Sequence, residues 1–504
     1  MGEVDRIEAQ LQDISRQWLS LPLETKEQQA AAAQFYSERV FPLIQQVFIA
    51  REAPKVKTPI YGLILPLGTS PEPLILSISA IQPEKVLFLC TEATEPLLDR
   101  VIASTGLSPR QWDKRLIDPA NPLHIYREIR EAWVRWGRRR DIAVDFTGGT
   151  KSMSGGAAMA GALIGAQLVY IANRNYLPDP YRRPEPGSEY LEFVPNPYAV
   201  FGDLDEREAA SRFQRYDFAG AQIILQRLAE RTAQPRQYEA LAHLAAAYKS
   251  WEDLNFEDAC KHLARVIDLV SIIREQDVCG KASVLAHHSD LLRSQLADLQ
   301  GLSRMIPSKP GTSALPLLQD LASVKVLAFT IHGAARRQEE RGNYDTAALL
   351  LYRLAELMAQ RRLATYGLDT AEPDYGCLKG FDLTAVLARV NEIRTELKHE
   401  PSSQLPQPIG LVDSYVLLEA LKDPFGLAPA GIHWQRFLAE TRGRNYSIFA
   451  HGFIFVSQTQ YKRFSEMLDS LLVTFCSVEG IDFRTAQEAC AFIDPWSTQE
   501  QSAL

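Results

Sequence analysis

Four short apolar runs constrain the fold of this chain most, and all of them lie before residue 175. They span residues 61–67, 86–90, 142–146 and 168–171. Continuous apolar runs of this length are typical of strands that are buried on both faces of a parallel sheet. Helical spacing lies between the runs, as in residues 122–136. This alternation predicts a doubly wound, Rossmann-like α/β domain.

The rest of the chain is helical in pattern. Apolar residues recur at three- and four-residue spacing near the N-terminus, at Ile7, Leu11, Ile14 and Trp18. After about residue 201 strand patterns nearly vanish, and a proline-rich loop near residues 305–320 marks a second boundary. We therefore expect a helical segment at 1–55, the α/β domain at 56–200, a helical middle region at 201–320 and a final all-helical domain at 321–504.

Composition and charge narrow the class of protein. With 46% apolar and 23% charged residues the chain has the composition of an ordinary globular protein. Its net charge of -8 argues against a broad basic surface for duplex DNA, so a nucleic-acid site would have to be local.

The six cysteines and the N-terminus bear on the compartment. The cysteines are scattered, without a CxxC pair or a zinc-like Cys/His spacing, which favours free thiols in a reducing cytosol and predicts no metal site. The charged N-terminus lacks the apolar core of a signal peptide. The nearly uncharged stretch 155–172 is rich in Gly and Ala and ends in a strand pattern. We expect a cytoplasmic protein without a membrane segment.

The most informative segment is residues 145–154, with the sequence DFTGGTKSMS. It follows a predicted strand, and its two glycines allow a sharp turn before a helix that we expect from Gly155 onward. A helix N-terminus offers free backbone N–H groups and a partial positive charge to an anion. Threonine and serine hydroxyls and Lys151 add further donors. The segment matches neither a P-loop nor a dinucleotide-binding fingerprint.

A second loop of this kind follows the first predicted strand, in the sequence LGTSPEPL at residues 67–74. Ligands of open α/β sheets bind at the carboxyl ends of the strands. Both loops should therefore line one crevice.

Together the two loops resemble those of the CARF domain, the CRISPR-associated Rossmann-like fold. The resemblance covers residues 58–200 and implies a homodimer that binds a cyclic oligoadenylate across its two-fold axis. The expected ligand-binding residues are Gly68, Thr69, Ser70, Thr147, Gly148, Gly149, Thr150, Lys151 and Ser152. Glu72 and Asn173 are additional positions implied by the resemblance.

One histidine in the helical C-terminal region differs from the others. His451 follows Arg444 by seven residues, which in a helix places both on one face about 10 Å apart along the axis. A histidine can relay protons near neutral pH, and an arginine stabilises the charge that grows on a phosphate. With Asn445 beside them, these residues are a plausible phosphodiester-cleaving set.

The sequence from Arg444 and Asn445 to His451 resembles the R-x4–6-H motif of HEPN ribonucleases. These are helical domains that dimerise to form one composite, metal-free site, cleave single-stranded RNA and leave a 2′,3′-cyclic phosphate. The whole chain is similar to the CARF–HEPN ribonucleases that accompany type III CRISPR systems. The resemblance implies catalytic roles for Arg444, Asn445 and His451.

A rival pair also satisfies the motif. Arg394 and His399 lie in the sequence RTELKH, surrounded by charged residues and followed by Pro401. This environment is typical of a solvated helix end, so we assign the active site to Arg444 and His451 and keep Arg394 and His399 as the alternative.

The leading hypothesis is therefore a metal-independent endoribonuclease that acts on single-stranded RNA in antiviral defence and is activated by a cyclic oligoadenylate. It needs no cofactor, and the ring size of the activator stays open. One alternative is a ligand-responsive transcription regulator, which would need a basic recognition helix and a β-wing. Another is a ring nuclease in which Lys151 and Ser152 support cleavage of the ligand. A third, a metal-dependent nuclease, would need clustered carboxylates and a lysine on a strand.

Overall fold

The chain divides into two compact units. The computed structural model describes residues 2–232, 235–276, 281–309, 311–445 and 455–497. The first unit is Met1–Asp203 and the second is Leu204–Leu504.

The first unit is built on a six-stranded sheet whose strands all lie within the described residues. In chain order the strands of this unit are β1 (Gly62–Pro66), β2 (Lys85–Cys90), β3 (Trp112–Leu116), β4 (Ile142–Asp145), β5 (Gln167–Asn173), β6 (Tyr176–Leu177), β7 (Arg183–Pro184) and β8 (Glu189–Val194). The sheet order is β3-β2-β1-β4-β5-β8, and β6 pairs only with β7. All neighbours in the sheet are parallel except β5 and β8. The strand order reverses between β1 and β4, which is where an open α/β sheet binds its ligands.

The four apolar runs are confirmed as β1, β2, β4 and β5, and the Rossmann-like fold is confirmed with them. Two sheet strands lacked a clear pattern. The edge strand β3 buries none of its residues fully and carries charges at Asp113, Lys114 and Arg115. The strand β8 buries only Leu191. An edge strand is held mainly by hydrogen bonds to its neighbour, so its sequence need not show an apolar pattern. The sequence therefore did not predict β3 or β8.

Helices cover both faces of this sheet. They are α1 (Glu3–Leu19), α2 (Lys26–Phe35), α3 (Phe41–Glu52), α4 (Glu72–Ile81), α5 (Leu98–Thr105), α6 (Pro122–Arg135), α7 (Lys151–Leu163) and α8 (Pro197–Phe201). Leu63 and Leu65 of β1 pack in one apolar cluster with α3, α4 and α5, whereas Ile64 packs in another with α6 and α7. Successive side chains of a strand point to opposite faces, so a strand between two helical layers must be apolar throughout.

The N-terminal helices belong to the same core as the sheet. Leu11, Ile14 and Trp18 are buried and share a cluster with residues of β1 and β2. The Trp18 indole N–H donates to the Ala32 carbonyl at 3.1 Å, and its ring lies 5.0 Å from that of Tyr36. Residues 1–55 therefore form part of one helical layer, while the bounds of the four predicted regions stay a prediction.

In its described residues the second unit is helical and contains no strand. Its helices, the first of which begins at the boundary, are α9 (Asp203–Gln214), α10 (Phe218–Arg231), α11 (Pro235–Glu252), α12 (Phe256–Gln276), α13 (Lys281–His287), α14 (Ser289–Met305), α15 (Leu315–Gln319), α16 (Leu321–Glu340), α17 (Tyr344–Thr365), α18 (Leu383–Glu396), α19 (Leu411–Ala420), α20 (Trp434–Asn445), α21 (Gln458–Glu479) and α22 (Phe483–Ala489). One apolar cluster joins α9 to α14, and a second joins α16 to α22. The described residues of this unit therefore contain neither the β-wing of a transcription regulator nor the strand lysine of a metal-dependent nuclease.

A buried ion-pair network holds the second of these clusters together. Arg361 and Arg362 of α17 pair with Glu479 at the end of α21, at 2.9 and 2.8 Å, and Arg362 also pairs with Asp423 at 2.8 Å. Burial raises the pKa of Glu479, but hydrogen bonds from the two arginines outweigh it and hold that pKa below its ordinary value. Removing one partner of such a buried pair costs about 3–5 kcal/mol, so the network fixes α17 against α21.

Among the described residues, no helix is long and apolar enough to cross a membrane.

Candidate ligand crevice and candidate active site

The two Gly/Thr/Ser loops of the first unit touch each other at the carboxyl edge of the sheet. They follow β1 and β4, which are parallel neighbours. A Cβ atom on Gly68 would lie 2.7 Å from the backbone nitrogen of Gly149, and one on Gly148 would lie 2.2 Å from the Pro66 carbonyl oxygen. Because no real Cβ contact is that short, the loops can approach this closely only with glycine at these positions. The two loops therefore lie side by side at this edge, and a ligand crevice between them stays a prediction.

The turn into α7 is closed by its own side chains. Gly149 adopts a φ of +87°, which a residue with a side chain rarely adopts. The Thr150 hydroxyl accepts a hydrogen bond from the Met153 N–H at 3.3 Å, so Thr150 caps a helix that begins at Lys151, four residues before the expected start. The Ser154 hydroxyl donates to the Gly148 carbonyl at 2.9 Å. The cap explains the earlier start, because it supplies the acceptor that a helix N-terminus needs.

The hydroxyl groups expected in the crevice fall into two sets. Thr147 and Thr150 are engaged within the protein: the Thr147 hydroxyl accepts from the Ile171 N–H at 2.8 Å, and the Thr150 hydroxyl donates to the Pro119 carbonyl at 3.1 Å. The other four expected side chains, those of Thr69, Ser70, Lys151 and Ser152, have no hydrogen-bond or ion-pair partner in the described part of the chain. The first set shapes the loop, and the donors of the second set are not used by it.

The two additional positions lie in different environments. Glu72, in the first turn of α4, pairs with Arg100 at 3.1 Å. Asn173 is exposed at the carboxyl end of β5, on the same sheet edge as the two loops.

The carboxyl group of Asp145 holds the loop that follows β4 by a hydrogen bond. Its position at a strand end did not predict this role. Its carboxyl group is buried, and Oδ1 accepts from the Thr147 N–H at 2.8 Å. Oδ2 and the buried Ser77 hydroxyl of α4 have no further hydrogen-bond partner among the described residues. Burial raises the pKa of Asp145, and hydrogen bonds from Thr147 and Ser77 only partly oppose the rise. The environment beneath the loop therefore disfavours the charged form of this carboxyl group.

In the second unit, Arg444 and Asn445 belong to the last turn of α20, and His451 lies outside the described residues. The helix that carries Arg444 is well anchored. Phe437 is fully buried with its ring 4.9 Å from that of Tyr415, and the Trp434 indole N–H donates to Glu419 at 2.9 Å. These contacts hold α20 against α19.

The described chain resumes at Phe455 and is anchored at once. The Val456 N–H donates to Oδ1 of Asp345 at 3.1 Å, and the rings of Tyr344 and Tyr461 lie 5.6 Å apart. The helix α20 and the chain from Phe455 onward both pack against the core of α16 to α22. Asp345 carried no signal in the sequence beyond its place in the first turn of α17.

The rival pair, Arg394 and His399, lies at a helix end that hydrogen bonds hold in place. The guanidinium group of Arg394 donates to the Glu400 carbonyl at 3.1 Å and to Asp413 at 3.3 Å. His399 is exposed, and its backbone N–H donates to the Arg394 carbonyl at 2.8 Å. Arg394 thereby closes the C-terminal end of α18, which fits the solvated helix end that the charge pattern indicated.

Other histidines are engaged in packing contacts. His332 is buried and lies 3.2 Å from Asp469. His243 of α11 and His262 of α12 face each other with their Nδ1 atoms 3.0 Å apart. In the described residues no three His, Cys, Asp or Glu side chains converge as a metal-binding group would.

The chain joins a Rossmann-like domain with two polar loops to a helical unit that carries an R-x6-H sequence. This combination is typical of the CARF–HEPN class of proteins. Two family models match the helical part of the chain: residues 201–297 match the Csm6 6H domain, and residues 322–474 match the Csm6 HEPN domain. Over these two regions the chain is similar to the helical domains of Csm6 proteins.

One relative is similar to this chain over most of its length. The chain is 28% identical over 465 residues to the CRISPR system endoribonuclease Csm6 of Thermus thermophilus, covering 90% of this chain and 92% of the relative.

Two solved structures are also similar. One is Enterococcus italicus Csm6 bound to cyclic hexa-2′-fluoro-hexa-dAMP, with 11% identity, a TM-score of 0.47 and coverage of 85% of this chain and 97% of that one. The other is Can2 from Sulfobacillus thermosulfidooxidans in complex with cyclic tetra-adenylate, with 14% identity, a TM-score of 0.22 and coverage of 46% and 70%.

The close approach of the two loops predicts a contrast between two glycines. Gly68→Ala should destabilise the first unit, because its Cβ would meet the Gly149 backbone, and overpacking of this kind costs about 1–3 kcal/mol. Gly301→Ala places a methyl group in open space on α14 and should stabilise by up to about 1 kcal/mol. Melting temperatures of the two variants measure the difference. Equal effects of both substitutions would show that the loops can separate without cost.

The raised pKa of Asp145 predicts a pH-dependent effect of Asp145→Asn. As pH rises above about 3.9, the unfolded carboxyl group loses its proton before the folded one does, so the native state loses stability. The neutral amide escapes this loss and should raise the melting temperature at pH 7 but not near pH 3.5. At the other end of β4, Arg139 lowers the pKa of Asp141 by hydrogen bonding. Asp141→Asn is the control and should give no stabilisation at pH 7. The assignment is wrong if both variants respond alike.

Proposed function

We propose that this protein is a metal-independent endoribonuclease that cleaves single-stranded RNA when a cyclic oligoadenylate binds to its first unit. The observation that carries the proposal is the presence, in one chain, of a Csm6 HEPN domain match over residues 322–474 and of two touching Gly/Thr/Ser loops at the switch point of the sheet. The relative from Thermus thermophilus is named as an endoribonuclease of a CRISPR system. The same activity in antiviral defence is proposed here.

The crevice suits a ring of phosphates. Thr69, Ser70 and Ser152 offer hydroxyl donors, Lys151 offers a full positive charge, and the N-terminus of α7 adds backbone N–H groups. Two such crevices related by a two-fold axis present matching donors to a cyclic molecule with its own symmetry. The ring size depends on how far apart the two crevices lie in the dimer.

The exposed face of α7 supports the proposed homodimer. Lys151, Gly155, Met159 and Leu163 follow one another at four-residue spacing and are all exposed. Met159 and Leu163 are exposed to 68% and 44%, and Gly155 has open space beside it. An apolar stripe with a small residue at its centre allows a second copy of the helix to approach closely. This stripe begins at the crevice, so a ligand that bridges two crevices would also bridge two copies of α7.

The proposed chemistry at the second unit is an internal transfer. The ribose 2′-oxygen forms a bond to the adjacent phosphorus, the bond from phosphorus to the 5′-oxygen of the next nucleotide breaks, and a proton passes from the 2′-hydroxyl to the leaving oxygen. His451 relays that proton, and Arg444 stabilises the charge that develops on the non-bridging oxygens. Asn445 orients the phosphate through its amide. The products are a 2′,3′-cyclic phosphate and a 5′-hydroxyl, and no step requires a metal ion.

Activation requires that ligand binding to the first unit is energetically coupled to the arrangement of the active site in the second unit. A ligand shifts an equilibrium only by binding one arrangement more tightly than the other. We infer that the cyclic oligoadenylate binds best to the arrangement in which the Arg444 and His451 sets of two protomers form one site.

The decisive test is RNA cleavage by the purified protein with and without cyclic tetra- and hexa-adenylate, in the presence of EDTA. One of the two rings should activate cleavage, and EDTA should leave the rate unchanged. His451→Ala should lower the activated rate by about 10²–10⁴-fold, as expected for loss of a general acid–base group. The product end is read by sensitivity to a cyclic-phosphate-specific phosphodiesterase.

The matched control is His399→Ala, which removes the histidine of the rival pair. Because His399 is exposed at a helix end, this variant should keep nearly the full activated rate. If His399→Ala abolishes cleavage while His451→Ala does not, the active site has been assigned to the wrong pair.

The proposed dimer face predicts a second result. Met159→Glu should increase the fraction of monomer and weaken binding of the activator, because it places a charge in the apolar contact between two copies of α7. Light scattering and equilibrium binding of the activating ring measure the two effects. Ile223→Glu makes the same kind of change at a residue that is 58% exposed in the second unit, and it should leave both unchanged. A dimeric Met159→Glu variant with normal affinity would remove α7 from the interface.

A further inference from the structure

A second cavity lies at the edge of the sheet opposite to the crevice. It has a volume of about 670 Å³ and is lined by residues that precede β1, β4 and β5 and by residues at the end of β8. Small-molecule sites have volumes of roughly 300–1,000 Å³. The cavity is therefore large enough for a ligand, and it is separated from the crevice by the length of the strands.

Two unpaired cations lie on its wall. Lys57 and Arg140 are exposed, and within the described ranges of the chain neither has a hydrogen-bond or ion-pair partner. The remaining charges of the cavity are compensated. Lys55 pairs with Glu52 at 2.6 Å, and Asp141 is paired with Arg139 through two hydrogen bonds. The cavity therefore carries a net positive charge from Lys57 and Arg140.

The rest of the wall is apolar with a few polar groups. Ile60, Ile142 and Leu168 are buried side chains of the sheet edge, and Phe193 of β8 is half-buried beside them. Among the polar neighbours, Asn196 is already used: its amide donates to the Ala162 carbonyl at 2.7 Å, and its oxygen caps α8. An apolar wall with two cations suits a ligand that combines a flat apolar part with an anionic group.

The cavity also reaches the end of the first unit. Pro195, Asn196 and Ala199 line it, and Ala199 belongs to α8, the last helix before the boundary at Asp203. A ligand in this cavity would contact the segment through which the first unit continues into the second.

We propose that this cavity is a second ligand site, distinct from the crevice, that binds a mononucleotide-sized phosphate ester. The phosphate lies between Lys57 and Arg140, and the base lies against the apolar wall formed by Ile60, Leu168 and Phe193. The proposal does not depend on ribonuclease activity, because it concerns binding to the first unit alone.

The test is equilibrium binding of adenosine monophosphate, adenosine and inorganic phosphate to the full chain by calorimetry. Adenosine monophosphate should bind with saturation and more tightly than either fragment. The double variant Lys57→Glu, Arg140→Glu should weaken this binding by at least about tenfold, because each lost charged hydrogen bond contributes a large part of the affinity.

Two controls distinguish binding in this cavity from a general effect of surface charge and from binding in the crevice. The double variant Arg127→Glu, Arg130→Glu makes the same charge change on the exposed face of α6 and should leave binding unchanged. Lys151→Glu removes the cation of the crevice and should also leave it unchanged. The proposal is overturned if adenosine monophosphate does not saturate the protein, if inorganic phosphate binds equally well, if the double variant binds normally, or if Lys151→Glu abolishes binding.

Discussion

The parallel pairing of β1 with β4 is the contact on which the first unit depends. It places the loops after these two strands side by side, and the backbones meet at Gly68 and Gly149 with no room for a side chain. The hydroxyl groups of Thr147 and Thr150 are then used to hold the loop, by bonding to backbone groups of Ile171, Met153 and Pro119. As a consequence, the polar groups that face outward are few and have defined places.

In the second unit, side-chain contacts between helices hold the structure together. Aromatic packing fixes α20, and a hydrogen bond to Asp345 fixes the chain where it resumes before α21. The buried arginines of α17 bind the far end of α21 through Glu479. These contacts fix α20 and the chain from Phe455 onward, which precede and follow the segment that contains His451 in the sequence. The proposed proton relay and charge stabilisation would require reacting groups within hydrogen-bond reach.

The candidate sites at the two edges of the sheet differ in how far the sequence predicts them. The crevice is made of two continuous segments, residues 67–74 and 145–154, whose glycines and hydroxyls form a local pattern. The opposite cavity is made of residues near positions 57, 140, 167 and 195, which form no pattern along the chain. Only the sheet order brings them together. Sequence motifs reveal sites built from continuous loops and overlook sites built from the ends of distant elements.

The amino-acid sequence alone determined the alternation of buried strands and helices, the helical character of the described residues after 201, the two loops and the resemblance to CARF–HEPN ribonucleases. These properties are local: apolar periodicity and turn residues express preferences of neighbouring residues. Only the tertiary structure decided that the N-terminal helices share the core of the sheet, that β8 closes its edge, that Thr147 and Thr150 are engaged internally, and that Arg394 binds Asp413. Each of these depends on a partner far away in the chain, and a pairing between distant segments leaves no periodic trace in either of them.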